Sequence, residues 1–301
     1  MLGSGPILLT GIHGQVGHEL QQTLPSLGPV IGLSREQLDL RDEDAIRRVV
    51  REVKPAVIVN PAAYTAVDKA EAERELAFSV NAEAPRILAE EAARANAVLI
   101  HFSTDYVFDG SKTMPYIETD ETCPLGVYGE SKLAGELAIQ HVGLPHVILR
   151  TSWVYGARGR NFLRTIVRLA QERAELRIVD DQTGAPTSSR SLANATAVLL
   201  NDWHEDLSGV YHLTCAGETT WYGFAQAILR FYEAHRASRG WPELKVHADE
   251  IRAITTQEFP TPAMRPAYSV LSNSKIMLAC HIAMPLWSEA LSSVMRELEL
   301  P

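Results

Sequence analysis

The stretch Thr10-Gly11-Ile12-His13-Gly14-Gln15-Val16-Gly17 follows an apolar run over 7–10 without a break and opens a pattern of helical period over 16–24. A strand that passes into a helix through a glycine-rich turn leaves few folds open. Glycine permits the tight turn and lets a ligand come close to the backbone. The helix that follows presents unpaired N–H groups and a partial positive charge. Such a turn suits the pyrophosphate of a dinucleotide, which makes Gly11, His13, Gly14, Gln15, Val16 and Gly17 candidate cofactor contacts.

The rest of the first half keeps this rhythm. Short β-branched runs over 7–10, 30–33, 56–60, 98–103 and 147–150 alternate with helical patterns over 16–24, 44–53, 75–95 and 127–142, the second opened by Asp42 as cap. Alternation of this kind predicts βαβ units with right-handed crossovers, hence an α/β, doubly wound parallel sheet of Rossmann type. Beyond about residue 155 the rhythm loosens into helical patterns over 162–172, 192–203 and 222–236, a strand-like 209–214 and proline-rich loops. The expected organisation is a dinucleotide-binding domain over 1–155 and a smaller α/β substrate-binding lobe over 156–301, with chain crossing between them.

Composition removes several classes of function. Lysine and arginine number 28 against 37 acidic residues, a formal charge of −9, which disfavours a nucleic-acid surface. The apolar segment ahead of the glycines is far shorter than the roughly 18 residues of a membrane span and has no basic flank, so neither insertion nor secretion is expected. The 3 cysteines, Cys123, Cys215 and Cys280, are odd in number and far apart. They suggest neither a disulfide framework nor a zinc site, which favours a reducing cytoplasm. Asp180-Asp181 and Glu297 with Glu299 come with no ligand set of defined spacing, so no metal site is assigned.

Candidate chemistry gathers at the strand ends. After the second strand, where an NAD enzyme commonly places a ribose-binding carboxylate, stand Ser34 and Arg35. The guanidinium suits a 2′-phosphate and points to NADPH with NADH as the alternative, although a solvated surface arginine explains Arg35 equally well. Asp39 and Leu40 fall where this fold often holds the adenine, and Ala62, Ala63, Tyr64 and Thr65 end the third strand with small residues against which a nucleotide can lie. Thr104 and Asp105 end the fourth strand. Tyr128 and Lys132 share a helix face at i and i+4, so the lysine can reach both the phenol and a nicotinamide ribose. Its charge is expected to lower the phenol's pKa from about 10, and the Thr104 hydroxyl to polarise a carbonyl.

The ordered blocks Thr10 to Gly17, Asn60 to Asp68, Val80-Asn81, Phe102 to Gly110, Tyr128 to Glu136, Arg150 to Gly156, Asp181 to Thr187 and Arg265 to Leu271 give the resemblance. The chain resembles the extended short-chain dehydrogenases/reductases, and within them the dTDP-4-dehydrorhamnose reductases, over essentially its whole length. The resemblance implies reduction of the 4-keto group of a dTDP-4-dehydro-6-deoxy-L-sugar with NADPH or NADH. It implies catalytic or substrate-contacting roles for Thr104, Asp105, Tyr128 and Lys132, and a sugar contact for Trp153. Related dehydratases carry Thr-Asp-Glu at the strand end, whereas this chain has Thr104-Asp105-Tyr106, which argues for simple reduction.

Asn161, Gln182 and Arg265 lie in loops of the second half, where amides and a guanidinium could hold the diphosphate or thymine of the dTDP-sugar, though each is also a common surface or capping residue. Some proteins it resembles bind magnesium at a dimer contact; no residue here is assigned to the ion, and a homodimer is left open. Two other readings stay open. One is a sugar-nucleotide epimerase, which would share the tyrosine and lysine. The other is a nucleotide-binding regulatory subunit that has no need of the chemistry.

Overall fold

The computed structural model describes residues 3–299; the lobe limits expected at 1 and 301 lie outside them. A parallel sheet of six strands occupies the centre. β1 (Ile7–Thr10), β2 (Val30–Leu33), β3 (Val57–Asn60), β4 (Val98–Thr104), β5 (His146–Thr151) and a strand at Gly209–His212 run in the order Gly209–His212, β5, β4, β3, β1, β2. The order reverses between β1 and β3, which places a crevice at the carboxyl ends of those strands.

The period of two along each strand builds two cores. Leu8, Ile58, Leu99 and Ile148 face one side of the sheet, packing with Ile46 and Val50 of α2 (Glu43–Val53), with Ile87 and Leu88, and with Ile139 of the Val127–Val142 helix. Leu9, Val59, Ile100 and Leu149 face the other, against Leu20 of α1 (Gln15–Thr23) and Leu192 and Leu199 of the Ser189–Asn201 helix. Burial of each such side chain contributes about 1.5–3 kcal/mol, which is why continuous apolar strands select this sandwich. Asp42 caps α2 by accepting from Ala45 N at 2.9 Å. A third core, around Tyr155, Leu163, Ile166, Phe224, Ile228 and Tyr232, belongs to the second half of the chain.

Two local expectations change. The strand read at 209–214 as part of the smaller lobe is Gly209–His212, the edge of the main sheet beside β5 in parallel register. The 189–201 helix likewise packs on the α1 face. Strand partners far apart in sequence leave no local signal of which sheet they join. The helix expected over 75–95 is continuous from Arg74, but a π turn interrupts it at Ser79–Glu83. That turn receives the Val127–Val142 helix. A Cβ on Gly135 would stand 2.1 Å from the carbonyl oxygen of Asn81, so only glycine allows the two backbones to meet there. Among the described residues no helix is long and apolar enough to cross a membrane.

Gly135→Ala sets two effects against each other. Alanine improves helix propensity by about 1 kcal/mol, whereas forcing a methyl into a backbone contact costs about 1–3 kcal/mol or more. We expect a net loss of roughly 1–2 kcal/mol in urea unfolding. A variant as stable as the parent would mean that the helix shifts freely.

Candidate active site

The carboxyl ends of the strands open into one cleft of about 870 Å³, at the upper end of the range for ligand sites. Its floor is the glycine turn. A Cβ on Gly17 would lie 2.2 Å from the Gly11 carbonyl oxygen, so the first turn of α1 can sit on the strand end only with glycine there. Gly14 at the α1 N-cap supplies no capping side chain. The opening N–H groups are therefore not spent on a side-chain cap, as an anionic ligand at this place requires. Gly11, His13, Gly14, Gln15, Val16 and Gly17 all line the cleft.

Along the rim beyond β2 lie Arg35, Glu36, Asp39 and Leu40. Ser34 is buried and outside the lining, its hydroxyl donating to Glu36 Oε2 at 2.6 Å. Glu36, which the sequence reading passed over, thus stands beside Arg35, and its contact with Ser34 holds its carboxyl below the usual range. Asp39 is engaged by Arg41, whose guanidinium holds it down to about 2.

On the opposite wall Ala62, Ala63, Tyr64 and Thr65 continue β3. Asn81, fully buried in the π turn, fixes this strap. Its Oδ1 accepts from Tyr64 N at 2.8 Å, and its Nδ2 donates to Tyr64 O and to Ser131 Oγ, each at 3.0 Å. One amide thereby ties this wall of the cleft to the Val127–Val142 helix. The signal was available in the Val80-Asn81 block, but not the role.

Thr104, Asp105, Tyr128 and Lys132 come together in the cleft. Thr104 Oγ1 accepts from Tyr106 N at 3.2 Å and donates to Asp105 Oδ1 at 3.1 Å. The Asp105 carboxyl is buried, and burial raises it to about 6, opposed by hydrogen bonds from Ser269 and Thr104. The expectation that Lys132 lowers the Tyr128 phenol does not hold in this arrangement. Burial pushes the phenol up to about 12, a hydrogen bond with Thr104 opposes the rise, and the Asp105 charge adds to it. Lys132 Nζ is directed instead at Phe102 O, 2.6 Å away, and His101 Nε2, 3.2 Å away. Burial brings its amine down to about 8, with Glu136 pulling the other way.

Behind Lys132 lies a sealed ion pair. Glu136 is 0 % exposed and Arg150 5 % by side chain; Arg150 Nε reaches both carboxylate oxygens at 3.1 Å and Nη2 reaches Oε2 at 2.7 Å. Ser103 Oγ donates to the same carboxylate.

The second half completes the wall. Trp153, at φ 48, is a bulky residue in the left-handed region, and its indole stacks on Trp221 at 3.5 Å and 5°. Two residues expected to contact substrate lie outside the cleft lining. Gln182 is buried, holding Trp221 Nε1 through Oε1 at 3.2 Å and donating to Thr256 Oγ1 at 2.9 Å. Arg265 pairs with Asp68 Oδ2 at 2.9 Å and donates to Ala263 O at the same distance. Asn161 does line the cleft, but its amide is engaged: Oδ1 caps the Phe162–Glu172 helix at Arg164 N, and Nδ2 donates to Gln15 Oε1 and Gly156 O at 2.9 Å and to Arg158 O at 3.0 Å. No group of three or more His, Cys, Asp or Glu side chains suited to a metal occurs among the described residues.

The chain is similar throughout to proteins already known. The family model described as RmlD substrate binding domain matches residues 5–300. A dTDP-4-dehydrorhamnose reductase of Burkholderia thailandensis is 48% identical over 298 residues, covering 97% of this chain and 98% of the relative. One of Escherichia coli is 43% identical over 300 residues, covering 97% of each. Among solved structures, the dTDP-4-dehydrorhamnose reductase of Bacillus anthracis in complex with NADP superposes with a TM-score of 0.88 at 33% identity, over 98% of this chain and 100% of that one.

The sealed pair gives a stability test. Glu136→Gln leaves the Arg150 guanidinium buried without its counter-charge and should cost about 3–5 kcal/mol. Replacing both partners, Glu136→Leu with Arg150→Met, should recover most of that loss in urea unfolding. A single variant that loses nothing would show that water reaches the pair.

Proposed function

The chain belongs to the RmlD substrate binding domain family, and from that premise we propose that it reduces the 4-keto group of dTDP-4-dehydrorhamnose to the alcohol of dTDP-L-rhamnose. It is an NADPH-dependent oxidoreductase, and the observation that carries the reading is full-length likeness to such reductases together with Thr104, Tyr128 and Lys132 in one cleft. NADPH, when bound, supplies the hydride.

The glycine turn and the uncapped start of α1 fit the pyrophosphate, and Arg35 fits a 2′-phosphate on the adenine side. Glu36 beside it suits a ribose diol, which leaves room for NADH. Thr104, turning its hydroxyl proton from Asp105 Oδ1, donates a hydrogen bond to the carbonyl oxygen and favours the charge that develops there. Tyr128 transfers its phenolic proton to that oxygen as the C4–H bond forms. The burial that raises the phenol to about 12 keeps it in the protonated form that a proton donor needs at neutral pH. Lys132, with one N–H left beyond Phe102 O and His101, would hold the nicotinamide ribose, and its charge would favour the phenolate left behind. Asp105, whose carboxyl lines the cleft, suits acceptance from a sugar hydroxyl, and Trp153 sets a flat apolar surface against the deoxy side of the sugar.

The test supplies NADPH and enzymatically made dTDP-4-keto-6-deoxy-L-sugar, follows nicotinamide absorbance and identifies the product by NMR. Substrate-dependent oxidation to the rhamnose nucleotide is expected. Binding of NADPH without oxidation would favour a regulatory subunit, and tightly retained NAD with no net consumption an epimerase.

Tyr128→Phe should keep the fold and cofactor binding and lose about 10²–10⁴-fold in turnover, the range of general acid catalysis. Lys132→Met should lose turnover and bind NADPH more weakly as well. Near-parental turnover in the phenylalanine variant would remove Tyr128 as the donor. Arg35→Ala should weaken NADPH by roughly tenfold to a hundredfold, the worth of a charge-assisted contact, and leave NADH nearly unchanged. Equal losses for the two cofactors, measured by calorimetry, would detach Arg35 from the 2′-phosphate.

A further inference from the structure

A row of polar side chains crosses the sheet beneath the cleft. The side-chain amide of Asn60 lies between Thr10 Oγ1, 2.6 Å away, and His101 Nδ1, 3.1 Å away, and His101 Nε2 meets Lys132 Nζ at 3.2 Å. Each strand residue stands two positions after an apolar one, Leu8, Ile58 and Leu99, so the row faces the same helices as that core. All four side chains belong to buried residues, none more than 2% exposed. Sealed from water, such groups persist only when each finds a partner.

Counting donors and acceptors gives the row two polarities. In one, the Thr10 hydroxyl donates to the Asn60 oxygen, the amide donates to His101 Nδ1, and the ring Nε2–H donates to Lys132 Nζ, which must then be an uncharged amine. A charged Lys132 has only hydrogens to offer. In that state Nε2 accepts, Nδ1 carries the proton, and the Asn60 amide turns its oxygen to the ring and its nitrogen to Thr10. A doubly protonated ring fits neither polarity, and burial with the nearby lysine charge holds the imidazole neutral.

We infer that His101 is a positioning residue for the reductase, its Nε2 accepting from Lys132 to hold the ammonium in place and keep it charged. The inference rests on the reductase reading only for what Lys132 then does. The titratable groups around the amine are Glu136 and Tyr128 on its own helix, His101 and Asp105 from β4 and its end, and Arg150 of β5, already paired with Glu136. Burial alone lowers the amine, and Glu136 raises it. Phe102 O, 2.6 Å from Nζ, is one uncharged acceptor and His101 Nε2 supplies a second, so each favours the ammonium without adding charge.

Two substitutions separate this role from simple packing. His101→Gln brings an amide oxygen near the place of Nε2 and keeps the Lys132 side of the row. His101→Asn replaces Nδ1 and keeps only the Asn60 side. The Lys132 Cε chemical shift, titrated in the protein without cofactor, should show the asparagine variant's midpoint about one pH unit or more below the parent's. The alkaline limb of kcat/KM should move the same way, and glutamine should restore most of both. An asparagine variant that titrates like the parent, or equal shifts in both variants, would overturn the assignment. Should neither variant fold, the ring nitrogen shifts of the parent near neutral pH decide: protonated Nδ1 supports the inference and protonated Nε2 overturns it. The titrations need no turnover, so a protein that never oxidised NADPH would overturn the reductase reading while these measurements still judged His101.

Discussion

The cleft depends on a carboxylate with no exposed surface. Glu136 joins three elements at once: it lies on the Val127–Val142 helix, accepts from Ser103 at the end of β4, and pairs with Arg150 on β5. A buried ion pair of this kind adds little net stability over an apolar replacement, because desolvation offsets most of the attraction. What it can fix is register. Glu136 lies one turn beyond Lys132 and two beyond Tyr128 on the same helix, so holding its carboxylate between two strand ends also sets how far the tyrosine and lysine project over the sheet. Gly135, one residue away, lets the helix approach closely enough for that grip.

The parts of the fold that were legible in the sequence are those whose signal is local. Residues 7–10 and 30–33 carry compact apolar runs bounded by glycine or turn residues, and the 127–142 helix carries its period from first residue to last; all three keep their expected limits in the structure. Where partners are distant the sequence is silent. The Gly209–His212 strand pairs with residues about sixty positions earlier, and Arg265 finds its counter-ion at a separation of 197. Gln182 and Arg265 looked like ligand contacts because loop amides and guanidiniums commonly are, but each satisfies a protein partner that no spacing announces.

Residue types alone also misjudged the balance of two opposing effects at Tyr128. Spacing on a helix face identifies a lysine near a phenol, and charge proximity alone argues for a lowered pKa. Burial acts in the other direction, and here it wins. His101 illustrates the converse: a lone histidine in the apolar run Val98-Leu99-Ile100-His101-Phe102 departs from the pattern of a strand buried on both faces. That departure was a usable signal, since a polar side chain in such a place must have a partner.

The junction between the two halves shows how second-half residues support the cleft through contacts within the protein. Asn161 donates to Gln15 in the glycine turn, and Gln15 in turn reaches Val154 O at 3.4 Å. The turn at one end of the cleft is thereby hydrogen-bonded to the strand that follows Trp153. Trp153 itself is held in a conformation that costs of order 1–3 kcal/mol for a residue of its size. Stacking on Trp221 returns about 0.5–1.5 kcal/mol beyond burial, and Gln182 and Phe162 secure Trp221 from behind. The strain is sustained only while that support remains in place. The wall around Trp153 is therefore braced by Trp221 and Phe162, which pack on the third core, and the wall that carries Tyr128 and Lys132 by Glu136 on their own helix and Asn81 in the π turn.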